Sequence, residues 1–164
     1  MSKIFPFLAV ILLLGTVALT GCAKKTSGNF GIYLVNSGEL VLSDQYIKAY
    51  YQSNHTIQLN EKGIERWNYF QTYTGIPKLD NTLYGRDFMV RLKGEEIYTG
   101  KFYSRVSSAS YDGVIIMDSL FRLDSTHDTI NIQFGYPGSF DAAGQDPRNN
   151  PAIISYFKKC GLLK

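Results

Sequence analysis

Phe88-Met89-Val90-Arg91-Leu92-Lys93-Gly94-Glu95-Glu96-Ile97-Tyr98, continued to Tyr103, is the stretch that decides the fold class of this 164-residue chain. Phe88, Val90 and Leu92 recur with a period of two, which places them on one face of a strand. The connection Lys93-Gly94-Glu95-Glu96 is short and contains glycine. Residues 88–92 and 97–103 are therefore predicted to pair as a hairpin.

Upstream, residues 30–35 (Phe-Gly-Ile-Tyr-Leu-Val) read as a buried strand ended by Asn36-Ser37-Gly38. Ser43 with Asp44-Gln45 is expected to cap a short helix carrying Tyr46, Ile47 and Tyr50. Residues 55–59 alternate, with Ile57 and Leu59 on one face. Asn60 then caps a helix from 61 to about 72, where Ile64, Trp67 and Phe70 recur near helical spacing. Glu61 and Glu65 lie toward its positive end. A polar loop, rich in Gly, Pro, Asn and Asp, covers 75–86.

Downstream of the hairpin, 104–110 is a serine-rich connection and 114–117 an apolar strand. Residues 129–134 (Thr-Ile-Asn-Ile-Gln-Phe) alternate cleanly, and Asn131 and Gln133 imply a sheet with one wet face. The loop 135–149 leads into a well-marked helix. Asn150 is its N-cap, Pro151 its first residue, and Gly161 its left-handed stop. Ile153, Ile154, Phe157 and Cys160 make its apolar stripe, with Lys158 and Lys159 near the negative end. Five or six strands with two to three helices predict one α+β domain with a mixed, mostly antiparallel sheet.

The N-terminus carries a different message. Lys3 provides a positive charge, and residues 4–19 are nearly unbroken apolar sequence, about 16 residues against the roughly 20 that span a bilayer. Leu19-Thr20-Gly21-Cys22 follows and reads as a lipobox: cleavage before Cys22, then lipidation of that cysteine by two or more acyl chains such as palmitate. The expected organisation is a signal peptide over 1–21, a lipidated tether over 22–29 and the α+β domain over 30–164. The expected location is the cell membrane or outer membrane, facing the periplasm or exterior.

Removing 1–21 takes away one lysine, leaving 16 basic against 14 acidic residues. That balance, without any basic run interleaved with aromatics, argues against nucleic acid as a partner. With Cys22 lipidated, Cys160 has no partner in the chain, so neither a disulfide nor a cysteine metal site is expected.

Catalytic signatures are sparse. His127 beside Asp124 and Asp128 can be drawn as a metal site or an acid–base pair, but Asp, Ser and Thr around a histidine are ordinary turn chemistry. Ser107, Ser108 and Ser110 lack the glycine-flanked elbow of a hydrolase nucleophile. No phosphate loop or dinucleotide fingerprint is present, and no cofactor or metal is expected. Two features stand out instead. The chain has 12 tyrosines, enough for an exposed aromatic surface as well as a core. The long loop contains Tyr136 and Arg148, the two candidate binding residues, although Arg148 is placed to lock the loop by pairing with Asp146 or Asp141.

The run Leu42-Ser43-Asp44 with Tyr46-Ile47, then Thr56-Ile57-Gln58-Leu59, Gly63-Ile64-Glu65-Arg66-Trp67 and the hairpin, resembles the head subdomain of the first periplasmic domain of SecD. The resemblance covers roughly 42–103. It implies a partly SecD head-like fold and a non-enzymatic, polypeptide-facing role. The chain lacks the base subdomain and membrane helices that surround that head in SecD, so a role in translocation is not implied. The expected function is that of a membrane-anchored envelope lipoprotein, a non-catalytic binding or interaction module for a protein or envelope component. The alternative is an envelope hydrolase with a site near His127 or the aspartates Asp141 and Asp146 of loop 141–146.

Overall fold

The computed structural model describes residues 28–71, 83–118, 121–138 and 146–164. The expected signal peptide, Cys22, most of the expected tether, most of loop 75–86 and Asp141 lie outside the described residues. Within them the chain forms β1 (Phe30–Leu34), β2 (Leu40–Ser43), β3 (Ile47–Tyr51), β4 (Thr56–Leu59), α1 (Glu61–Tyr69), β5 (Asp87–Leu92), β6 (Glu95–Ser104), β7 (Tyr111–Asp118), β8 (Thr129–Tyr136) and α2 (Pro151–Lys159). All eight strands belong to one mixed sheet in the order β2-β1-β5-β6-β7-β8-β4-β3. Every neighbouring pair is antiparallel except β6 with β7. The α+β class and mostly antiparallel sheet are as predicted; the strand count is higher than the expected five or six.

The hairpin forms with a tighter turn than expected. Leu92 pairs with Glu95, so Lys93 and Gly94 alone make the loop. Both have positive φ, 54° and 88°, as a two-residue turn matched to strand twist requires. The short helix expected after Ser43 is the one clear correction. Asp44–Tyr46 is a single 3-10 turn, Ser43 makes no side-chain cap, and Ile47–Tyr51 is a strand. Ile47, Ala49 and Tyr50 are buried while Lys48 and Tyr51 are exposed. Pairing with β4 and burial against the core outweigh the weak local signal for a helix.

One aromatic ring shows how the sheet is shaped. The strands β1 and β3 are six neighbours apart in the sheet order, which in a flat sheet would be about 29 Å. Yet Phe157 of α2 touches both, with ring centroids 4.7 Å from Phe30 and 5.0 Å from Tyr50. The sheet is therefore curled, and α2 sits on its inner side. Ile32, Leu34, Phe88, Val90, Phe102, Val114, Ile116, Ile132 and Ile57 point inward. Trp67 of α1 closes the same core, 6.2 Å from Phe102.

The helices start and stop as the sequence dictates, α1 slightly early. The Asn60 side chain accepts from Gly63 N–H at 3.0 Å and Asn150 from Ala152 N–H at 2.9 Å. Gly161 (φ 70°) ends α2, with Leu162 N–H donating to Phe157 C=O and Gly161 N–H to Lys158 C=O, the paired bonds of a glycine C-cap. The tail then runs beside β3: Tyr50 N–H donates to Leu162 C=O, and Lys164 N–H to Tyr50 C=O. Cys160 is half-buried at the end of α2, as expected.

The serine-rich connection is a crossover rather than a simple loop. Because β6 and β7 are parallel, residues 105–110 must return across the outer face of the sheet, an unusually short path. Tyrosine hydroxyls hold it down. Tyr103 donates to Ala109 C=O, Tyr136 to Arg105 C=O at 2.8 Å, and Tyr84 to the Ser107 hydroxyl at 3.1 Å. Tyr103, Tyr111 and Tyr136 pack together beneath it with Ile115 and Met117.

Candidate functional site

Among the described residues, a compact group of ionisable side chains gathers where residues 146–150 cross the β4–β8 end of the sheet. Tyr50 comes from β3, His55 from the turn before β4, and Asp146 and Arg148 from the start of the segment leading into α2. Ile132 N–H donates to His55 C=O at 3.0 Å, and His55 itself takes a positive φ of 52°. That backbone turn aims the imidazole inward. Its Nδ1 lies 2.7 Å from the Tyr50 hydroxyl, and its Nε2 lies 3.8 Å from Asp146 Oδ2. The neighbours are satisfied when Tyr50 donates to Nδ1 and the ring proton on Nε2 faces the carboxylate.

Arg148 completes the group. Its Nε and Nη2 grip Asp146 at 3.0 and 2.7 Å, and its Nη1 donates to Ile132 C=O at 3.0 Å. The guanidinium also lies over the Phe134 ring, 5.8 Å from its centroid. Burial would raise the pKa of Asp146, but hydrogen bonds from the Arg148 side chain and backbone, with its charge, hold the carboxyl below the usual range. Burial lowers the pKa of His55, and Arg148 adds to that while Asp146 opposes it. Burial also pushes Tyr50 up to about 12. The histidine is neutral at pH 7 and the phenol is hard to ionise.

Arg148, singled out from the sequence, thus locks its loop through Asp146, one of the two partners expected for it. Tyr136 pins the serine-rich crossover. His127 is exposed in a turn, where Asp124 accepts from Thr126 O–H at 2.7 Å and from His127 N–H at 2.8 Å. Those bonds, led by that from the Thr126 hydroxyl, lower the Asp124 pKa. Asp128 accepts from Gln58 at 2.9 Å, so it does not join His127. The histidine brought to Asp146 is His55, which sequence reading left as an ordinary strand residue.

Above this group runs a polar groove on the outer face of β8. Thr129, Asn131 and Gln133 point outward, as their alternation predicted, while Ile130 and Ile132 enter the core. One depression of about 500 Å³ is lined by Thr56, Arg105, Met117, Phe121, Asn131 and Gln133. A second, of about 310 Å³, is lined by Asn54, Asn131, Gln133, Phe134, Pro137 and Arg148. The two share Asn131 and Gln133 and so adjoin along β8. Asn131 Nδ2 is fixed by Asn54 C=O and Thr56 Oγ1, both at 3.2 Å. A third depression, about 620 Å³, lies at the start of α1 between Lys48, Lys62 and Asp128.

Among the described residues no group of three or more His, Cys, Asp or Glu side chains is arranged to hold a metal ion. No helix among them is long and apolar enough to cross a membrane. Comparison with protein-family models, with curated proteins and with solved structures finds no match in any of the three.

Proposed function

We propose that the protein is a lipid-anchored, non-catalytic binding module of the cell envelope, attached through Cys22 and presenting the outer face of β4, β8 and β7 to a protein or other envelope component. The observation that carries this reading is how the titratable cluster is spent. Tyr50 and His55 are 2% and 8% exposed, the Tyr50 hydroxyl lies on His55 Nδ1, and Arg148 is spent on Asp146 and on Ile132 C=O. A phenol whose pKa is raised is a weaker nucleophile at neutral pH, and the histidine is buried, with Nδ1 on the Tyr50 hydroxyl and Nε2 facing Asp146 at 3.8 Å. The adjoining groove, by contrast, turns its amides and hydroxyls outward.

The lipobox and short apolar segment support attachment, and two acyl chains suffice for stable retention. Tethering raises the local concentration of the module near membrane partners. The resemblance to the SecD head belongs to the same reading, as an argument for a non-enzymatic role. The hydrolase alternative needs an exposed base beside a free nucleophile; the hydroxyl nearest the His127 ring, Thr126 Oγ1 at 2.9 Å, belongs to the same turn and bonds Asp124 at 2.7 Å.

Two measurements test the proposal. Cys22→Ala is expected to abolish incorporation of labelled fatty acid and membrane retention; retention without label would instead indicate an uncleaved anchor. A photo-crosslinker at position 133 of the membrane-bound protein is expected to capture a discrete adduct that the same group at Lys62 does not. Identical, diffuse labelling from both positions would reject the outer face as the binding surface.

A further inference from the structure

We infer that the length of the tether makes one end of the fold its membrane-facing surface. That end carries Gly28, the Asp44–Tyr46 turn, the start of α1 and the Lys93-Gly94 turn; it rests nearest the lipid headgroups, and the turn 35–38 points away from them. This rests on the reading of Cys22 as the lipidated residue and adds which part of the molecule meets the bilayer.

The fold takes hold of the chain at Gly28. A Cβ there would collide with the buried Asp44 carboxylate, and at the next residue Lys93 N–H donates to Asn29 C=O. The start of α1 is tied to the same place. Asn60 N–H donates to Tyr46 C=O at 3.0 Å, and Asn60 Nδ2 to Gln45 C=O at 2.7 Å. From there two elements lead the same way. β1 runs from Phe30 toward the turn 35–38, and α1 reaches Val41 C=O and Glu39, each 3.3 Å from the Arg66 guanidinium. Tyr69 follows three residues later on α1.

Chain length then limits the pose. Gly28 is six residues from Cys22, and whatever their conformation six residues reach at most about 22 Å. Val35 is seven residues beyond Gly28 along an extended strand, a distance of about 23 Å. Resting the molecule on the turn 35–38 would lift Gly28 that far above the headgroups, beyond a fully straightened tether. Poses close to the limit require every residue to be extended at once, which costs conformational entropy. With the Gly28 end down, the same six residues have length to spare.

The chemistry of this end suits the headgroup level rather than the acyl layer. Among the described residues the exposed large apolar side chains are Val35, Tyr51, Tyr69, Val106 and Phe121. None belongs to 28–29, 44–46, 60–63 or 93–96, the segments that make the tether end. Val35 and Tyr69 stand at the other end, where the pose keeps them facing the envelope. The exposed charges on the tether-end segments are Lys62 and Lys93 against Glu61, Glu95 and Glu96. That balance gives an anionic leaflet little to pull on, so attachment belongs to the acyl chains and orientation to the tether.

The test uses the full-length lipidated protein in phosphatidylcholine vesicles, in a Cys160→Ser background. A fluorophore is attached at Lys93→Cys or at Ser37→Cys and quenched by lipid spin-labelled either on the headgroup or deep in the acyl chain. Headgroup quenching is expected to be at least about twofold stronger at 93 than at 37, since about 20 Å of strand separates the two ends, with little acyl-chain quenching at either. Inserting about twelve Gly and Ser residues after Lys25 lengthens the reach past the whole of β1 and is expected to bring the two positions toward equality. Equal or reversed headgroup quenching in the unlengthened protein, as from a molecule lying on its side, overturns the inference. So does strong acyl-chain quenching at 93, or a difference that the insertion leaves intact. If Cys22 takes up no labelled fatty acid, the anchor reading falls and the inference with it. If Cys22 is labelled and 93 and 37 quench alike, the anchor stands and the orientation alone falls.

Discussion

His55 is the residue on which the pH response of the fold is expected to turn. Its pKa in the folded protein lies below the ordinary 6.5 because burial, and then Arg148, disfavour the charged ring. The unfolded chain therefore binds the proton more readily. The stability that follows is fully present above about 6.5 and is lost as pH falls toward the folded value. Denaturation midpoints of the wild type are expected to drop between pH 7 and pH 5, and His55→Gln is expected to flatten that drop while keeping a neutral partner for Tyr50. Asp146 has a depressed pKa, so its loss of support comes at lower pH and leaves this window to the histidine. An equal pH dependence in both proteins would show that His55 is not the titrating group. Beside it, Arg148→Lys keeps the charge but loses the fork on Asp146 and the bond to Ile132; a cost of about 1–2 kcal/mol in urea denaturation is expected.

At the scale of elements, the crossover 105–110 depends on tyrosine hydroxyls more than on burial of its own residues. Tyr136→Phe keeps the ring packed on Tyr103 and deletes only the bond to Arg105 C=O. The expected cost is about 1 kcal/mol, with faster amide hydrogen exchange over 105–110 and no change in β1 or β2. Uniform acceleration across the sheet would instead mean that the crossover is integral to the global unfolding unit. The elements that the sequence made legible are those specified within a few residues. Lys93-Gly94 writes the hairpin turn, Asn150-Pro151 and Gly161 bracket α2, and the alternation at 129–134 assigns both faces of β8. Those that escaped depend on distant partners. Four residues, Leu40–Ser43, become β2 because β1 pairs with them, and Ile47–Tyr51 becomes β3 because β4 and the tail do. His55 and Asp146 meet only when the sheet curls, so no local pattern joins them. Gln133 and Asn131 were legible as outward-facing, but not the groove, which needs Arg105 and Phe121 from other segments.

For the whole molecule, closure of the curl rests on a small number of rings. Phe157 is 1% exposed and spans from Phe30 on β1 to Tyr50 on β3, linking strands near opposite ends of the sheet order. Truncation to alanine removes the ring without giving either strand a substitute, because the neighbouring α2 residue inside the core, Ile153, lies one turn away. A loss of about 3–5 kcal/mol is expected for Phe157→Ala, and less for Phe157→Leu, which refills part of the space. The consequence reaches the polar cluster, since Tyr50 packs on Phe157 through its ring and on His55 through its hydroxyl. Opening the cavity lets water approach His55 and relieves the burial that depresses its pKa. Phe157→Ala is therefore expected to be not only less stable but also less sensitive to pH between 7 and 5 than the wild type. Denaturation midpoints at those two pH values read both effects. A variant that loses stability yet keeps the full pH dependence would show that the cluster and the inner core act independently, and that Arg148 and Asp146, rather than the curl, hold His55 in place.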